Sequence, residues 1–357
     1  MGRMNKETTI YRKTSGFKMK ISIVIATYEE ESMIEGKLRN TLELDYPKDK
    51  LEIIVIDSGS TDKTVDIVKS FEGVKSIQEK ERKGKAQALI NAFNQLDQDT
   101  DIVVISDADS RLDKAILNKA LKYLEREDVG AICGRQVLLN PSATRDAKAE
   151  KSYRGFYTKI RMLESKIDSN PIMHGEFMAM KRDIVEPPSP DSVADDTEMA
   201  LKIRRKGYKT LYTPDCVFYE AAPTSLKGRI EQKKKRGQGL IQVFWRNKNM
   251  FLNTRYGKFG LIVFPFEFSL YILSPIILFG GLIFLGAIMV IYKSMILALL
   301  FVALALSAKF SSIVYSFITN EYALLKGEIG LLLHGPSRSW KQIKETREVV
   351  KEYEKKK

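Results

Sequence analysis

Carboxylates follow two apolar runs of the chain, at positions where acidic side chains can do chemistry. Asp107 and Asp109 come directly after residues 102–106, and Asp57 ends the β-branched run 53–56. Two carboxylates two residues apart at a strand end can hold a hard divalent cation and leave room for phosphate oxygens. Asp57 can accept hydrogen bonds from a nucleobase or a ribose hydroxyl, with helix capping as the alternative role.

A further acidic pair, Asp195 and Asp196, opens a helix predicted over residues 195–206 and closed by Gly207. Acidic residues in a first turn stabilise a helix by ~0.3–1 kcal/mol, so capping is one explanation. Two adjacent aspartates exceed what a cap needs. One of these carboxylates could therefore be the general base for an attacking hydroxyl.

A basic run, residues 232–237, contains Gln232, Lys235 and Arg236. One interpretation is a solvated helix face that lies against lipid headgroups. The other is that a glutamine and cations cover the phosphates of a substrate. If the family resemblance given below holds, Gln232 and Lys235 face the site and Lys233 faces lipid.

The elements that must position these residues alternate between strand and helix. Short β-branched runs at residues 21–26, 53–56 and 102–105 predict buried parallel strands. The alternation predicts an α/β fold with a mostly parallel sheet covered by helices on both faces. Such sheets bind ligands at the carboxyl ends of their strands, where these acidic residues lie. Helices are further predicted at residues 32–42, 63–71, 85–96, 113–125, 144–167 and 225–249, and strands at residues 129–139, 177–180 and 209–213.

The composition is that of a folded protein: 44% of the 357 residues are hydrophobic and 29% are charged. These values exclude wholesale disorder and collagen-like repeats. Cys133 and Cys216 lie far apart in apolar runs, so we expect them to pack as small hydrophobic side chains. Two cysteines and two histidines exclude a disulfide scaffold and a His-rich metal site.

Residues 259–320 predict a C-terminal transmembrane helical hairpin, because they contain only three charged side chains. The first helix, residues 259–292, is longer than the ~30 Å hydrocarbon core; the second, residues 294–319, spans it comfortably. Lysine and arginine flank the outer ends, so the positive-inside rule places both termini and the catalytic domain in the cytoplasm. The charge pattern further divides the chain into a basic arm (1–19), a globular domain (20–224), a basic juxtamembrane helix (225–258) and a cytoplasmic tail (321–357).

The net charge of +13 is concentrated beside the hydrophobic segment. Residues 225–258 carry +9, whereas residues 21–224 carry −5. This distribution suits attachment to anionic membrane lipids. It argues against nucleic-acid binding, which needs a basic face on the globular domain.

Taken together, these residues resemble glycosyltransferase family 2 over about residues 20–250. The first strand end, residues 26–30, is similar to the family's Pro-Thr-Tyr-Asn-Glu motif, and residues 57–62 are similar to Asp-Asp-Gly-Ser-x-Asp. Residues 107–109 match its metal motif. Residues 83–91 match the helix that the family places beside the donor diphosphate, and residues 174–177 fall where it places the acceptor-side loop. Asp195-Asp196 matches the acidic pair that contains the family's catalytic base. Gln232 and Lys235-Arg236 fall on its Gln-x-x-Arg-Trp motif.

The resemblance implies a GT-A (Rossmann-like) nucleotide-sugar domain joined to membrane helices. It also implies roles for individual residues. The donor would be held by Thr27, Tyr28, Glu30, Asp57, Lys85 and Asp107; Mg²⁺ or Mn²⁺ by Asp109 and Asp107; the acceptor or phosphate side by His174, Gly175, Glu176, Gln232, Lys235 and Arg236; and Asp196, beside Asp195, would be the catalytic base.

The hypothesis that follows is inverting, metal-dependent sugar transfer at the cell membrane. The donor would be a nucleotide sugar, with a UDP-sugar favoured over a GDP-sugar, and the acceptor would be lipid-linked or a glycan. A processive polysaccharide synthase is the alternative, although Arg236 replaces the tryptophan that lines the acceptor channel of such synthases. A sugar nucleotidyltransferase and a non-enzymatic membrane scaffold are more distant alternatives.

Overall fold

The computed structural model describes residues 18–336 and 342–355, so most of the predicted basic arm at 1–19 lies outside the described residues. Its centre is an eight-stranded sheet with the order β3-β2-β1-β4-β7-β6-β8-β5. The strands are β1 (Ile21–Thr27), β2 (Leu51–Asp57), β3 (Val74–Gln78), β4 (Ile102–Ile105), β5 (Arg111–Leu112), β6 (Val129–Leu138), β7 (Met178–Lys181) and β8 (Lys209–Glu220).

The sheet is mixed but mostly parallel, as predicted. Strands β3, β2, β1 and β4 are parallel neighbours, whereas β7 runs antiparallel to both β4 and β6. Strand β8 is parallel to β6, and β5 pairs antiparallel with β8. The outer strands β3 and β5 escaped prediction because β3 is half-exposed at the sheet edge and β5 has only two residues.

Helices cover both faces of the sheet, which explains why its central strands are apolar on both sides. One face packs against α1 (Ile34–Leu42) and α4 (Ile116–Leu124), and the other packs against α3 (Lys85–Phe93) and α6 (Asp195–Arg205). All four residues of β4 are buried. Burying a side chain of this type contributes about 1.5–3 kcal/mol to the stability of the fold, so the apolar run strongly favours a central position for this strand.

Two longer helices begin at side-chain caps. Helix α5 (Arg145–Ile167) starts where the Thr144 hydroxyl accepts the amide N–H of Ala147, and α7 (Leu226–Arg246) starts where the Ser225 hydroxyl accepts that of Gly228. Each such cap typically contributes about 1 kcal/mol. The predicted starts of both helices are therefore confirmed. The remaining short helix of the globular domain is α2 (Thr64–Lys69).

One helix, Phe259–Ile291, is long and apolar enough to cross a membrane. It contains α8 (Phe264–Phe268) and α9 (Ser274–Ile291), preceded by π-helical turns at Phe259–Val263 and Ser269–Leu273. Pro265 and Pro275 lack the N–H that closes an α-helical turn, which explains why the regular helix is interrupted around them.

The second predicted span, residues 294–319, is wrong as a single helix. After a turn at Lys293, with φ of 48°, the chain forms α10 (Met295–Phe310) and α11 (Ser312–His334), which meet at an angle of 105°. The helix breaks at Ser311, whose backbone is extended and whose hydroxyl accepts the amide N–H of Val314 as the cap of α11. Beyond the break, Ser316, Thr319 and Asn320 accept hydrogen bonds from the buried Arg229 of α7. Helix α11 therefore packs on the globular domain, and residues 321–333 continue it instead of forming a separate segment.

Candidate active site

A cavity of about 620 Å³ opens at the carboxyl ends of β1 and β4. The strand register places Thr27 opposite Asp57 and Val24 opposite Ile105, so the three strands end at one edge. From this edge the cavity extends towards α7 and α11. Most of the predicted site residues line it: Thr27, Tyr28, Glu30, Lys85, Asp107, Asp109, His174, Gly175, Glu176, Asp195, Asp196, Gln232 and Arg236.

Lys85 links the two acidic pairs. Its Nζ atom lies 2.7 Å from Oδ1 of Asp107 and 3.5 Å from Oδ2 of Asp195. Although burial opposes it, these carboxylates raise the pKa of Lys85 well above its usual value, so the side chain is a permanent cation. A cation in this position can approach a diphosphate, as the sequence predicts.

Gly175 approaches this lysine closely. A Cβ atom at this position would come 2.8 Å from Nζ of Lys85, so any larger residue would displace the lysine. The amide N–H of Gly175 also donates a hydrogen bond of 3.0 Å to Oδ2 of Asp196. The loop that contains Gly175 therefore orients both the lysine and the predicted base.

Asp196 has the electrostatic character of a general base. Burial, reinforced by the charge of Asp195, raises its pKa to about 7. A general base works best when its pKa lies near the operating pH, because a large share of it is then ionised and it still binds the proton strongly. Its neighbour Asp195 pairs with Lys85 instead.

Asp57 does not line the cavity. Its carboxylate is buried, with 1% of the residue exposed, and accepts hydrogen bonds from the Ser60 amide at 2.8 Å and the Thr27 hydroxyl at 3.2 Å. These contacts hold the turn after β2. Its role as a donor ligand stays a prediction, while Asp62 binds the amide N–H of Thr64 as a turn residue does.

The acceptor-side loop is tied to α7 by buried ion pairs. Arg236 lies 2.8 Å from Oε1 of Glu176 and 3.4 Å from Oε1 of Glu220. Burial tends to raise the pKa of Glu176, but the charge of Arg236 outweighs this effect and lowers it. His174, next in the loop, is buried, and burial lowers its pKa well below the usual value. The neutral His174 contacts Arg161 of α5 through Nε2.

The orientation predicted for the basic run is wrong for its lysines. Lys233 is 6% exposed and lines the cavity, whereas Lys235 is not among the lining residues. The Nζ atom of Lys233 lies 3.0 Å from Oε1 of the buried Glu150 and 3.3 Å from the centre of the Tyr153 ring. The error arises because α11 packs along α7, and Glu150 of α5 pairs with Lys233.

We expect Lys233→Ala to lower the free energy of unfolding by about 2 kcal/mol, because it removes one partner of a buried ion pair. The loss is smaller than for an isolated pair, since Arg154 still lies 2.7 Å from Oε1 of Glu150. Chemical denaturation of the protein in detergent measures this change. Lys227→Ala, on the same helix, is the control. Equal stability of the two variants would contradict the buried pair.

Sequence reasoning missed a cation that the C-terminal helix brings to the site. Arg347 of α12 (Lys344–Lys355) lies 2.6 Å from Oε1 of Glu30 and 2.8 Å from Oδ2 of Asp109. The helix is also held by an ion pair of 2.5 Å between Glu354 and Arg111. Nothing in the local sequence signals this contact, because the tail is generally basic. Arg82, stacked 3.7 Å from the centre of the Tyr28 ring, was also missed, because the fold brings these two distant loop residues together.

We expect Arg347→Ala to raise the KM for the donor by roughly 10-fold, because the carboxylates of Glu30 and Asp109 then face an anionic substrate without this cation. Steady-state kinetics with varied donor concentration measures the change. Lys351→Ala, which removes an exposed cation from the same helix, is the control. An unchanged donor KM in the Arg347 variant would show that the contact only fastens the helix.

The residues at this edge fit a hard divalent cation. Asp107 and Asp109 offer carboxylate oxygens, and Oε2 of Glu30 is buried without a hydrogen-bond partner in the described part of the chain. Residues 18–336 and 342–355 hold no group of three or more metal-ligating side chains. Asp107 and Asp109, which here contact Lys85 and Arg347, are of the residue type that suits Mg²⁺ or Mn²⁺, because these ions bind substrate phosphates together with few protein ligands.

Comparison with known proteins identifies the family of this chain. Residues 22–187 match the model of the family described as "Glycosyl transferase family 2". The mannosyltransferase PcManGT from Pyrobaculum calidifontis, solved in complex with GDP-Man and Mn²⁺, is 30% identical and superposes with a TM-score of 0.78. The match covers 89% of this chain and 88% of that chain.

Two curated bacterial proteins are similar in sequence. The probable glycosyltransferase YdaM of Bacillus subtilis (strain 168) is 28% identical over 287 residues, 76% of this chain and 66% of its own length. The poly-β-1,6-N-acetyl-D-glucosamine synthase of Staphylococcus aureus (strain COL) is 26% identical over 273 residues, 74% of this chain and 64% of its own length. The chain thus spans just under two thirds of each relative.

Proposed function

Since this chain belongs to glycosyl transferase family 2, we propose that it transfers a sugar from a nucleotide-sugar donor to a membrane-associated acceptor, with inversion at the anomeric carbon. The observation that carries the proposal is the meeting of Lys85 with both acidic pairs at one end of the cavity. Donor and base would thereby be held in one cavity, as a single displacement requires.

The donor would lie along the carboxyl ends of β1 and β4. Thr27 and Glu30 line the part of the cavity assigned to the nucleoside, and Lys85 approaches the diphosphate. Asp109 and Asp107 would hold Mg²⁺ or Mn²⁺, which neutralises the charge of the departing diphosphate. The bound Mn²⁺ and GDP-Man of PcManGT support a divalent cation and a nucleotide sugar in this chain.

Asp196 would take the proton from the acceptor hydroxyl as its oxygen attacks the anomeric carbon. A bond forms between that oxygen and the sugar, and the bond to the diphosphate breaks. Where the attacking oxygen belongs to an ionised phosphate, Asp196 would orient the acceptor instead. The hydrogen bond from Gly175 supports either role, because it aims the carboxylate.

A membrane acceptor is supported by the apolar surface around the cavity. Phe156 of α5 is 60% exposed, and Trp245 and Leu252 are 57% and 61% exposed beside basic residues of the juxtamembrane region. Tryptophan at a basic border is typical of a membrane interface. Together with the helix Phe259–Ile291, this surface supports a catalytic domain held at a membrane. The cytoplasmic face is the one we propose, because basic residues flank the apolar segment.

A processive synthase is the second candidate, favoured by the similarity to the S. aureus synthase. Arg236 counts against it, because this residue forms ion pairs with Glu176 and Glu220 where a synthase would present an aromatic ring. Nucleotide release from UDP-GlcNAc, GDP-Man and related donors, with lipid extract and with or without EDTA, tests the proposal. No release from any donor would refute it, and long glycan products would favour the synthase.

A further inference from the structure

The inner half of the cavity leads away from Asp196 towards the apolar helices. Its walls include Tyr153 and Tyr157 of α5, Tyr271 of the candidate membrane helix, and Phe317 and Leu324 of α11. These walls are largely apolar or aromatic. They suit the chain of a lipid more than a series of sugar hydroxyls, which would need many polar partners.

A buried cation lies in this apolar region. Arg161 of α5 lines the cavity and is 8% exposed. Its Nη1 atom contacts Nε2 of His174, and its Nε atom is buried without a hydrogen-bond partner in residues 18–336 and 342–355. Within the same residues, Arg161 forms no ion pair with a carboxylate. An unpaired buried charge costs several kcal/mol, so this arrangement calls for an anionic partner.

Two buried carboxyl groups, Glu164 one turn along α5 and Glu267, lie near Arg161 but form no ion pair with it in the described part of the chain. They contact each other instead, and their carboxyl oxygens have no other hydrogen-bond partner among the described residues. Burial, together with the charge of Glu267, raises the pKa of Glu164 well above its usual value, so at most one of the two is ionised. Arg161 therefore has no carboxylate in direct contact within this part of the chain.

Arg161 is also next to the reacting end of the cavity. His174, its contact, precedes Gly175, whose amide binds Asp196 at 3.0 Å. We propose that Arg161, beside His174, binds the phosphate headgroup of a lipid acceptor whose apolar chain lies between the aromatic walls. This inference rests on the proposed sugar transfer and names its acceptor class. The proposed contact between Arg161 and the phosphate does not depend on whether the attacking oxygen is a hydroxyl or belongs to that phosphate.

A binding experiment that needs no donor tests this site. Wild type, Arg161→Gln and Lys159→Gln, in detergent, are titrated with farnesyl phosphate, farnesol and inorganic phosphate while the melting temperature is followed. Lys159 is an exposed cation of the same helix and serves as the matched control. We expect farnesyl phosphate to stabilise wild type and Lys159→Gln at equal concentrations. In Arg161→Gln the apparent Kd should rise ~10- to 100-fold, the effect of losing a charge-assisted hydrogen bond.

Three results would overturn the inference. The first is that Arg161→Gln binds farnesyl phosphate as tightly as wild type does. The second is that wild type binds farnesol as tightly as farnesyl phosphate. The third is that wild type binds inorganic phosphate as tightly as farnesyl phosphate, which would indicate a site for free anions. Arg161→Lys is the control for misfolding: it keeps the positive charge and should therefore retain much of the binding. A ligand-free melting temperature equal to that of wild type shows that a variant is folded.

Kinetics separate this inference from the proposed function. With an active donor, Arg161→Gln should raise the KM for the phosphorylated acceptor and leave the donor KM unchanged. Equal effects on both would assign Arg161 a general structural role. If no donor releases nucleotide while farnesyl phosphate still binds through Arg161, sugar transfer fails and the anion site stands.

Discussion

Asp109→Ala should reduce sugar transfer by roughly 10³-fold or more, because metal stabilisation of a leaving diphosphate contributes several kcal/mol. The side chain of Asp109 is partly exposed and contributes no core volume, so the fold should persist. Arg347 retains its partner Glu30 in the variant. The transfer rate over a series of Mn²⁺ and Mg²⁺ concentrations measures the loss, and the melting temperature reports on folding.

Asp66→Ala is the matched control, since it removes an exposed carboxylate from α2, away from the cavity. It should transfer sugar at the wild-type rate. Wild type in excess EDTA should behave as Asp109→Ala does. Full activity of the variant, or of wild type in EDTA, would remove the metal role from this residue.

Asp196→Asn should lower kcat by roughly 10²-fold or more and leave the donor KM nearly unchanged, as expected when general-base catalysis is lost. The asparagine has the same size and keeps the ability to cap a helix, so a purely structural role predicts near-normal activity. Asp195→Asn is the comparison within the pair. If it proves the more damaging variant, the base is Asp195, and its contact with Lys85 is catalytic rather than structural.

The pH profile gives the same prediction a second test. Because the pKa of Asp196 is raised to about 7, the carboxylate form that accepts a proton is populated above that pH and lost below it. The kcat of wild type should therefore rise as the pH passes through about 7. In Asp196→Asn this rise should disappear. A wild-type profile that is flat across neutral pH would indicate that Asp196 only orients the acceptor.

The sequence alone determined the elements of the catalytic domain and the edge of the sheet where its acidic residues lie. β-Branched runs that end at Asp57 and before Asp107 can be buried only as central strands, and parallel strands bring their carboxyl ends to one edge. Thr144 and Ser225 marked the starts of α5 and α7 because capping depends on residues only three positions away. These patterns depend on residues that are close together in the chain, so they can be recognised in the sequence without knowledge of the tertiary structure.

The tertiary structure decided which side chains meet in the cavity. A helical pattern does not reveal that α11 packs on both α5 and α7, so it could not show that Lys233 of α7 is buried against Glu150 of α5. Nor could it reveal that the C-terminal helix returns to place Arg347 on Asp109. The same pattern could not show that α11 turns away from α10 at Ser311 and meets Arg229 of α7. The partner of a charged group is set by the packing of distant segments, because the cost of burying a charge is offset only by groups that the whole fold brings within reach.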